Sequence, residues 1–273
     1  MFNTLYYIIT FGFERNLFKR KLKKHIPNLI TTGNLLCGSF AIVNAFEGNL
    51  AMACYLIIFA SALDFFDGFA ARMLNVSCGI GKDLDSLSDM ISFGLAPGLI
   101  LYQFVKMLNQ NQPMELLTQY PWLMYIAFII PVFSSFRLAK FNNDTRQSTT
   151  FYGLPTPANA NFFIFCILLY LFPDLPMIID VSGIVQPIVS NPLVMLGFGV
   201  VFSILLVAEI PMFALKFKSL KWSANKLPFT FVLIWLGLLV FTNIVAMPTI
   251  VVVYIVWSMI ACNLFPKKDE ITH

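Results

Sequence analysis

Charge is what this sequence has least of. Only 12% of its 273 residues are Asp, Glu, Lys or Arg, against about a quarter in soluble domains. With 58% hydrophobic residues, a mean hydropathy of +0.77 and apolar runs near 20 residues, that shortage excludes a soluble enzyme. No stretch is left for a separate soluble domain, and nucleic acid is not an expected partner. Histidine is scarce too. His25 and His273 sit near the two ends, so no Ser-His-Asp relay can be built on them. The five cysteines (Cys37, Cys54, Cys78, Cys166 and Cys262) are scattered through apolar runs without a CxxC pair. They read as small packing residues rather than a disulfide or zinc framework. Internal repeats and low-complexity segments are also missing.

What is present is a series of apolar runs, and they predict an all-α, polytopic transmembrane helix bundle. A crossing takes about 20 residues. About eight spans can be drawn, near 27–46, 50–72, 84–105, 121–140, 157–173, 192–213, 227–245 and 247–264. The fifth is short, and only a tight turn around Ala246, Met247 and Pro248 divides the last two, so seven spans is the alternative. Seventeen of the eighteen basic residues fall on one side of this arrangement, Lys106 being the exception. The positive-inside rule makes that side cytoplasmic and puts both termini there. The N-terminal stretch, apolar MFNTLYYIITFGF followed by basic RNLFKRKLKKH, lacks the order of a signal peptide and reads as an interfacial anchor. The expected division is an interfacial basic segment over 1–25, a catalytic core over 26–175 and further transmembrane helices over 176–273.

The scarce charge is not evenly spread. Five of the fourteen carboxylates, Asp64, Asp67, Asp83, Asp85 and Asp89, crowd into LDFFDGFAARMLNVSCGIGKDLDSLSDM, residues 63–90. Asp64 and Asp67 are three apart at the cytoplasmic end of span two, which on a helix gives them one face about 5–6 Å apart. Asp85 and Asp89, four apart at the start of span three, share a face in the same way. A connection of about ten residues lets the two faces meet. Four ionised carboxylates so placed repel one another, and a divalent cation relieves the repulsion. Oxygen-only ligands suit Mg²⁺, Mn²⁺ or Ca²⁺ better than zinc. Four carboxylates have room for two ions about 3.5–4 Å apart, the spacing that clamps a phosphoryl transfer.

Neighbouring residues fit the same chemistry. Gly68 permits close approach of a phosphate beside Asp67, Ala71 keeps the face open one turn later, and Arg72 offers a planar donor fork. An acid pair at a helix end is more often a cap or a solvated edge, and Asp83, out of phase with Asp85 and Asp89, is read that way. Intramembrane acids can instead mark an ion pathway. For that alternative, a divalent-cation transporter, only Glu209 late in span six offers a mid-span acid, and it has no evident partner. GIGKD is not a P-loop, because Val76 and Asp83 stand where Gly and Ser/Thr are needed.

From Asp64 the spacing is D-x2-D-G-x2-A-R-x8-G-x3-D-x3-D, through Asp67, Gly68, Ala71, Arg72, Gly81, Asp85 and Asp89. All eight positions match the signature of the CDP-alcohol phosphatidyltransferase family, which this chain resembles. The resemblance implies an integral membrane enzyme that transfers the phosphatidyl group of a CDP-linked lipid to an alcohol and releases CMP. It implies that Asp64, Asp67, Asp85 and Asp89 hold two Mg²⁺ or Mn²⁺ ions. Asp89 would also be the general base, and Gly68, Ala71, Arg72 and Gly81 would lie against the CDP-lipid. A homodimer is the family expectation.

The flanks IPNLITTGNLLCG, SDMISFGLAPG, SSFRLAKFN and FYGLPTPANA resemble the phosphatidylserine synthase branch. The substrates implied are CDP-diacylglycerol and L-serine. Asn28, Thr31 and Asn34 would line the nucleotide side of the cleft, and Arg137 and Lys140 would meet the substrate phosphate or the acceptor carboxylate. Glycerol 3-phosphate or inositol phosphate is the alternative acceptor. Those anions call for more basic residues than this chain supplies.

Overall fold

A computed structural model describes residues 25–74, 79–144, 151–174, 178–212 and 226–264. The expected N-terminal anchor, Arg146, most of the basic loop at 214–226 and the C-terminal lysines lie outside the described residues. The chain is an all-α, polytopic helical protein with one small strand pair. Helices α1 (His25–Phe46) and α2 (Leu50–Met73) are joined by a tight turn. Gly48 takes φ +81° there, and the Asn49 side chain caps α2 by accepting from the Met52 N–H.

The third unit is one continuous rod of three parts: α3 (Gly79–Asp89), a π-helical turn (Met90–Leu95) and α4 (Ala96–Asn111). In the π turn the Ala96 N–H reaches back five residues to the Ile91 carbonyl. Pro97 accounts for the widening, since it has no N–H to donate and its ring crowds the carbonyl four residues before it. The rod begins earlier than the span expected from residue 84, so Met73 and Gly79 are joined by five residues rather than about ten.

A short α5 (Glu115–Gln119) leads to a 3₁₀ stretch (Pro121–Phe128) and α6 (Ile129–Asn143). Pro131 again explains the break, because it cannot bond to the Ala127 carbonyl. Next come β1 (Phe151–Tyr152) and α7 (Thr156–Leu171), then α8 (Ser182–Val189) and α9 (Pro192–Val207), bent 81° from one another. Asn191 makes the bend, its side chain capping the N–H groups of Leu193 and Val194 ahead of Pro192. The loop expected over 174–191 therefore contains a helix. The sixth span stops at Val207, short of 213, because Pro211 in β2 (Pro211–Met212) forces extended chain before it.

The last pair is α10 (Lys226–Thr242) and α11 (Ala246–Leu264), joined through a 3₁₀ turn at Asn243–Val245 with Asn243 at φ +49°. By length and hydropathy, Phe229–Ile260 counts as one stretch of 32 residues, and five such stretches among the described residues can cross a membrane, six with the bent pair. Yet the rings of Phe231 and Tyr254 meet at 5.7 Å. A straight helix would hold residues so far apart in sequence about 34 Å apart. The two helices are a hairpin.

α4 and α7 form the centre. Ile100, Leu101 and Phe104 of α4, and Phe163, Ile164 and Ile167 of α7, are fully buried. Around them the Phe162 and Phe202 rings stack at 4.0 Å and Phe104 meets Tyr170 edge-on at 5.2 Å. Many aromatics outside this core are exposed, including Phe40, Phe59, Phe66 and Phe136, as lipid contact requires. The two ends of the bundle are built differently. One carries the Asp64–Asp67–Asp85–Asp89 cluster, the β1–β2 pair (Phe151 opposite Met212) and the Lys140–Glu209 ion pair. At the other, the Ile179 N–H donates to the Phe241 carbonyl and Gln186 to the Leu169 carbonyl.

Candidate active site

Three of the acids converge. Carboxylate oxygens of Asp64, Asp67 and Asp85 all lie within 4.8 Å of one another, with Asp67 buried and the other two partly so. The helical repeat does this, since Asp64 and Asp67 leave α2 on the face that meets α3. Asp89, one turn beyond Asp85 at the end of α3, is buried and lies beside Asp64. Asp83 is exposed on the far side. Desolvated carboxylates this close repel strongly. Asp89 Oδ1 is buried with no hydrogen-bond partner. An oxygen-only donor set with an orphaned carboxylate oxygen at its edge fits hard divalent cations such as Mg²⁺ or Mn²⁺.

α1 closes one wall. Thr31 Oγ1 donates to Asp67 Oδ2 at 2.7 Å, with the Pro27 carbonyl also in reach at 3.0 Å. In return, Ser88 Oγ donates to the Thr31 carbonyl at 2.8 Å and Ser92 Oγ to the Asn34 carbonyl at 3.0 Å. These bonds need close helices, and Gly38 supplies the room. A Cβ there would lie 2.4 Å from Ser92 Oγ. Asn28 is partly exposed at the head of α1, whereas Asn34 is fully enclosed, its side-chain amide without a partner. Thr31 thus touches the acid cluster, and Asn34 belongs to the packed interior. Neither the acid spacing nor the signature singles out Ser88, Ser92 or Gly38, whose signal in the sequence is small residues one turn apart on two helices.

On the outer side, Gly68 and Ala71 are partly exposed and Arg72 is exposed. The space where a Gly68 side chain would begin lies 4.0 Å from Arg72 Nη1. Gly81 is partly exposed on α3. Higher up, Ser61 of α2 and Asn161 of α7 are bonded at 3.0 Å, one turn from Asp64.

Arg137 and Lys140 part company. Arg137 is buried, donates Nε to the Leu154 carbonyl at 2.9 Å, stacks on Phe141 at 5.2 Å and acts electrostatically on Asp89. Lys140 instead pairs with Glu209 at 3.0 Å near the surface. Glu209, the one acid that a transport path could use, lies beyond the end of α9 with a lysine partner.

A family model described as CDP-alcohol phosphatidyltransferase matches residues 24–205, a range holding the whole acid cluster. The chain belongs to the CDP-alcohol phosphatidyltransferase family. Membership makes it a membrane transferase of phospholipid biosynthesis that works through a CDP-linked alcohol. Among its relatives is the CDP-diacylglycerol–serine O-phosphatidyltransferase of Helicobacter pylori strain J99. It is 30% identical over 241 residues, 86% of this chain and 89% of the relative. The enzyme of the same name from Bacillus subtilis strain 168 is 32% identical over 159 residues, 58% of this chain and 81% of that one. An archaetidylserine synthase from Methanothermobacter thermautotrophicus is 31% identical over 138 residues, 50% of this chain and 54% of its own length.

Proposed function

We propose that this family member transfers the phosphatidyl group of CDP-diacylglycerol to the hydroxyl of L-serine, giving phosphatidylserine and CMP. The observation that carries the reading is the meeting of Asp64, Asp67 and Asp85 oxygens within 4.8 Å, with Asp89 adjoining. Asp64, Asp67, Asp85 and Asp89 would hold two Mg²⁺ or Mn²⁺ ions, which would supply charge stabilisation to the diphosphate. Asp89 accepts the proton of the serine hydroxyl. The freed oxygen attacks the lipid phosphorus in line. The bond from that phosphorus to the bridging oxygen breaks, and CMP leaves with the electron pair. Gly68 lets the diphosphate approach, and Arg72, whose Nη1 is 4.0 Å from where a Gly68 side chain would begin, neutralises it.

Arg137 takes the serine carboxylate, and it does so alone because Lys140 is engaged by Glu209. A single buried guanidinium suits one carboxylate better than the extra phosphate of glycerol 3-phosphate or inositol phosphate. The serine named in the relatives supports the same choice. The basic residues support eight crossings with both termini and the acid end in the cytoplasm. α1 to α7 form the catalytic core, within a homodimer.

The deciding assay gives the purified protein CDP-diacylglycerol, Mn²⁺ or Mg²⁺, and a panel of alcohols. CMP release that depends on serine is expected. Serine-independent release, or release only with another acceptor, overturns the assignment.

A further inference from the structure

The β1–β2 pair is too small to contribute much to the core, yet it sits at a junction of three helices. Tyr152 is opposite Pro211, the Gly153 N–H donates to the Ile210 carbonyl at 3.0 Å, and the Leu154 N–H donates to the Leu205 carbonyl at 3.0 Å. These bonds tie the chain entering α7 to the end of α9. Gly153 is required in this turn on two counts. Its φ is +80°, and a Cβ would lie 2.3 Å from the Leu206 carbonyl oxygen. Pro155, next in the chain, confines the backbone of Leu154 to extended angles. The Leu154 carbonyl is thereby fixed in direction, and it receives Arg137 Nε at 2.9 Å in a buried setting. With Nε committed and the guanidinium laid on Phe141, Nη1 and Nη2 remain for a ligand, and Asp89 and Tyr254 both act on the group electrostatically.

We propose that the Gly153–Leu154 turn is a positioning element for the acceptor: a main-chain carbonyl, set by the tie between α7 and α9, aims the Arg137 fork. This rests on the reading of Arg137 as the acceptor's partner. It adds that acceptor affinity is controlled from a backbone turn that touches neither substrate nor metal.

The test is a double-mutant cycle on the full-length purified enzyme, following KM for serine and for CDP-diacylglycerol separately. Gly153→Ala is expected to raise KM for serine roughly tenfold, as expected for spoiling one charge-assisted contact, and to leave KM for CDP-diacylglycerol unchanged. In the Arg137→Gln background the same change should add less than about twofold. Pro155→Ala, which frees the Leu154 backbone without adding atoms, should act in the same direction at about threefold. It carries the test if Gly153→Ala does not fold. Full additivity with Arg137→Gln, or equal rises in both KM values, overturns the positioning role. If Arg137→Gln itself leaves KM for serine untouched, the reading of Arg137 fails instead.

Discussion

The corner formed by α1, α2 and α3 and the hairpin of α10 and α11 are both helical and both apolar in the main, yet they are held together differently. In the corner, helices are stitched by polar groups: Thr31 to Asp67, Ser88 and Ser92 to carbonyls of α1. In the hairpin the described ring contact between helices is aromatic, Phe231 on Tyr254. Within a bilayer apolar surface gains little by leaving lipid, so side-chain hydrogen bonds and close packing fix a geometry that apolar contact alone leaves adjustable. The corner must hold carboxylates against their own repulsion. The family match, which ends at residue 205, includes the first and omits the second.

The largest expected effect is at the corner's deepest acid. Asp89→Asn should lower serine-dependent CMP release by about a thousandfold, within the range for a positioned general base, while divalent-ion binding partly survives. Turnover above a tenth of the parent's removes Asp89 from that role. Stripping divalent ions with a chelator should abolish release, and Mn²⁺ or Mg²⁺ should restore it. In Asp67→Asn, the concentration of ion needed for half-maximal rate should rise at least about tenfold, for want of one charged ligand. An unchanged requirement would mean that Asp67 serves structure alone.

The close approach of α1 gives a smaller effect. Gly38→Ala inserts a methyl where Ser92 already stands and should cost about 1–3 kcal/mol, visible as a lower unfolding temperature in detergent. Ser92→Ala should cost about 0.6 kcal/mol and at most about 1.7. If both prove silent, the corner is not polar-stitched. Smallest of all, Leu233→Val and Val240→Leu on the exposed face of α10 should shift stability by less than about 0.5 kcal/mol and activity by less than about twofold. A large loss from either would erase the distinction between the two regions.

Local geometry was readable in the sequence, and contacts between distant segments were not. Asp64, Asp67, Asp85 and Asp89 announce a shared face because helix periodicity maps spacing onto direction. The motif around Thr31 points to it, and it does touch Asp67. Asn34, from the same motif, is enclosed instead, because one further turn along α1 leads away from the acids and into the core. In the sequence Lys140 reads as a partner for the substrate phosphate or the acceptor carboxylate. Its partner Glu209 is 69 residues away, a separation no periodicity encodes. The π turn and the bend at Asn191 escaped for a related reason. Proline marks that a helix is disturbed, but whether it widens, tightens or turns depends on what packs around it.

α7 has a further consequence. Its sixteen residues make a rod about 24 Å long, while a bilayer's hydrocarbon layer is about 30 Å thick. If α7 is one of the crossings, it sits at the centre of the bundle and not against lipid, so the shortfall falls to water descending into the bundle beside its end. The entrance of α7 adjoins Arg137 through Leu154. Water should therefore reach below the membrane surface at this spot. A water-borne amino acid and a nucleotide tethered to two acyl chains could then meet at the same depth, neither leaving the solvent it prefers.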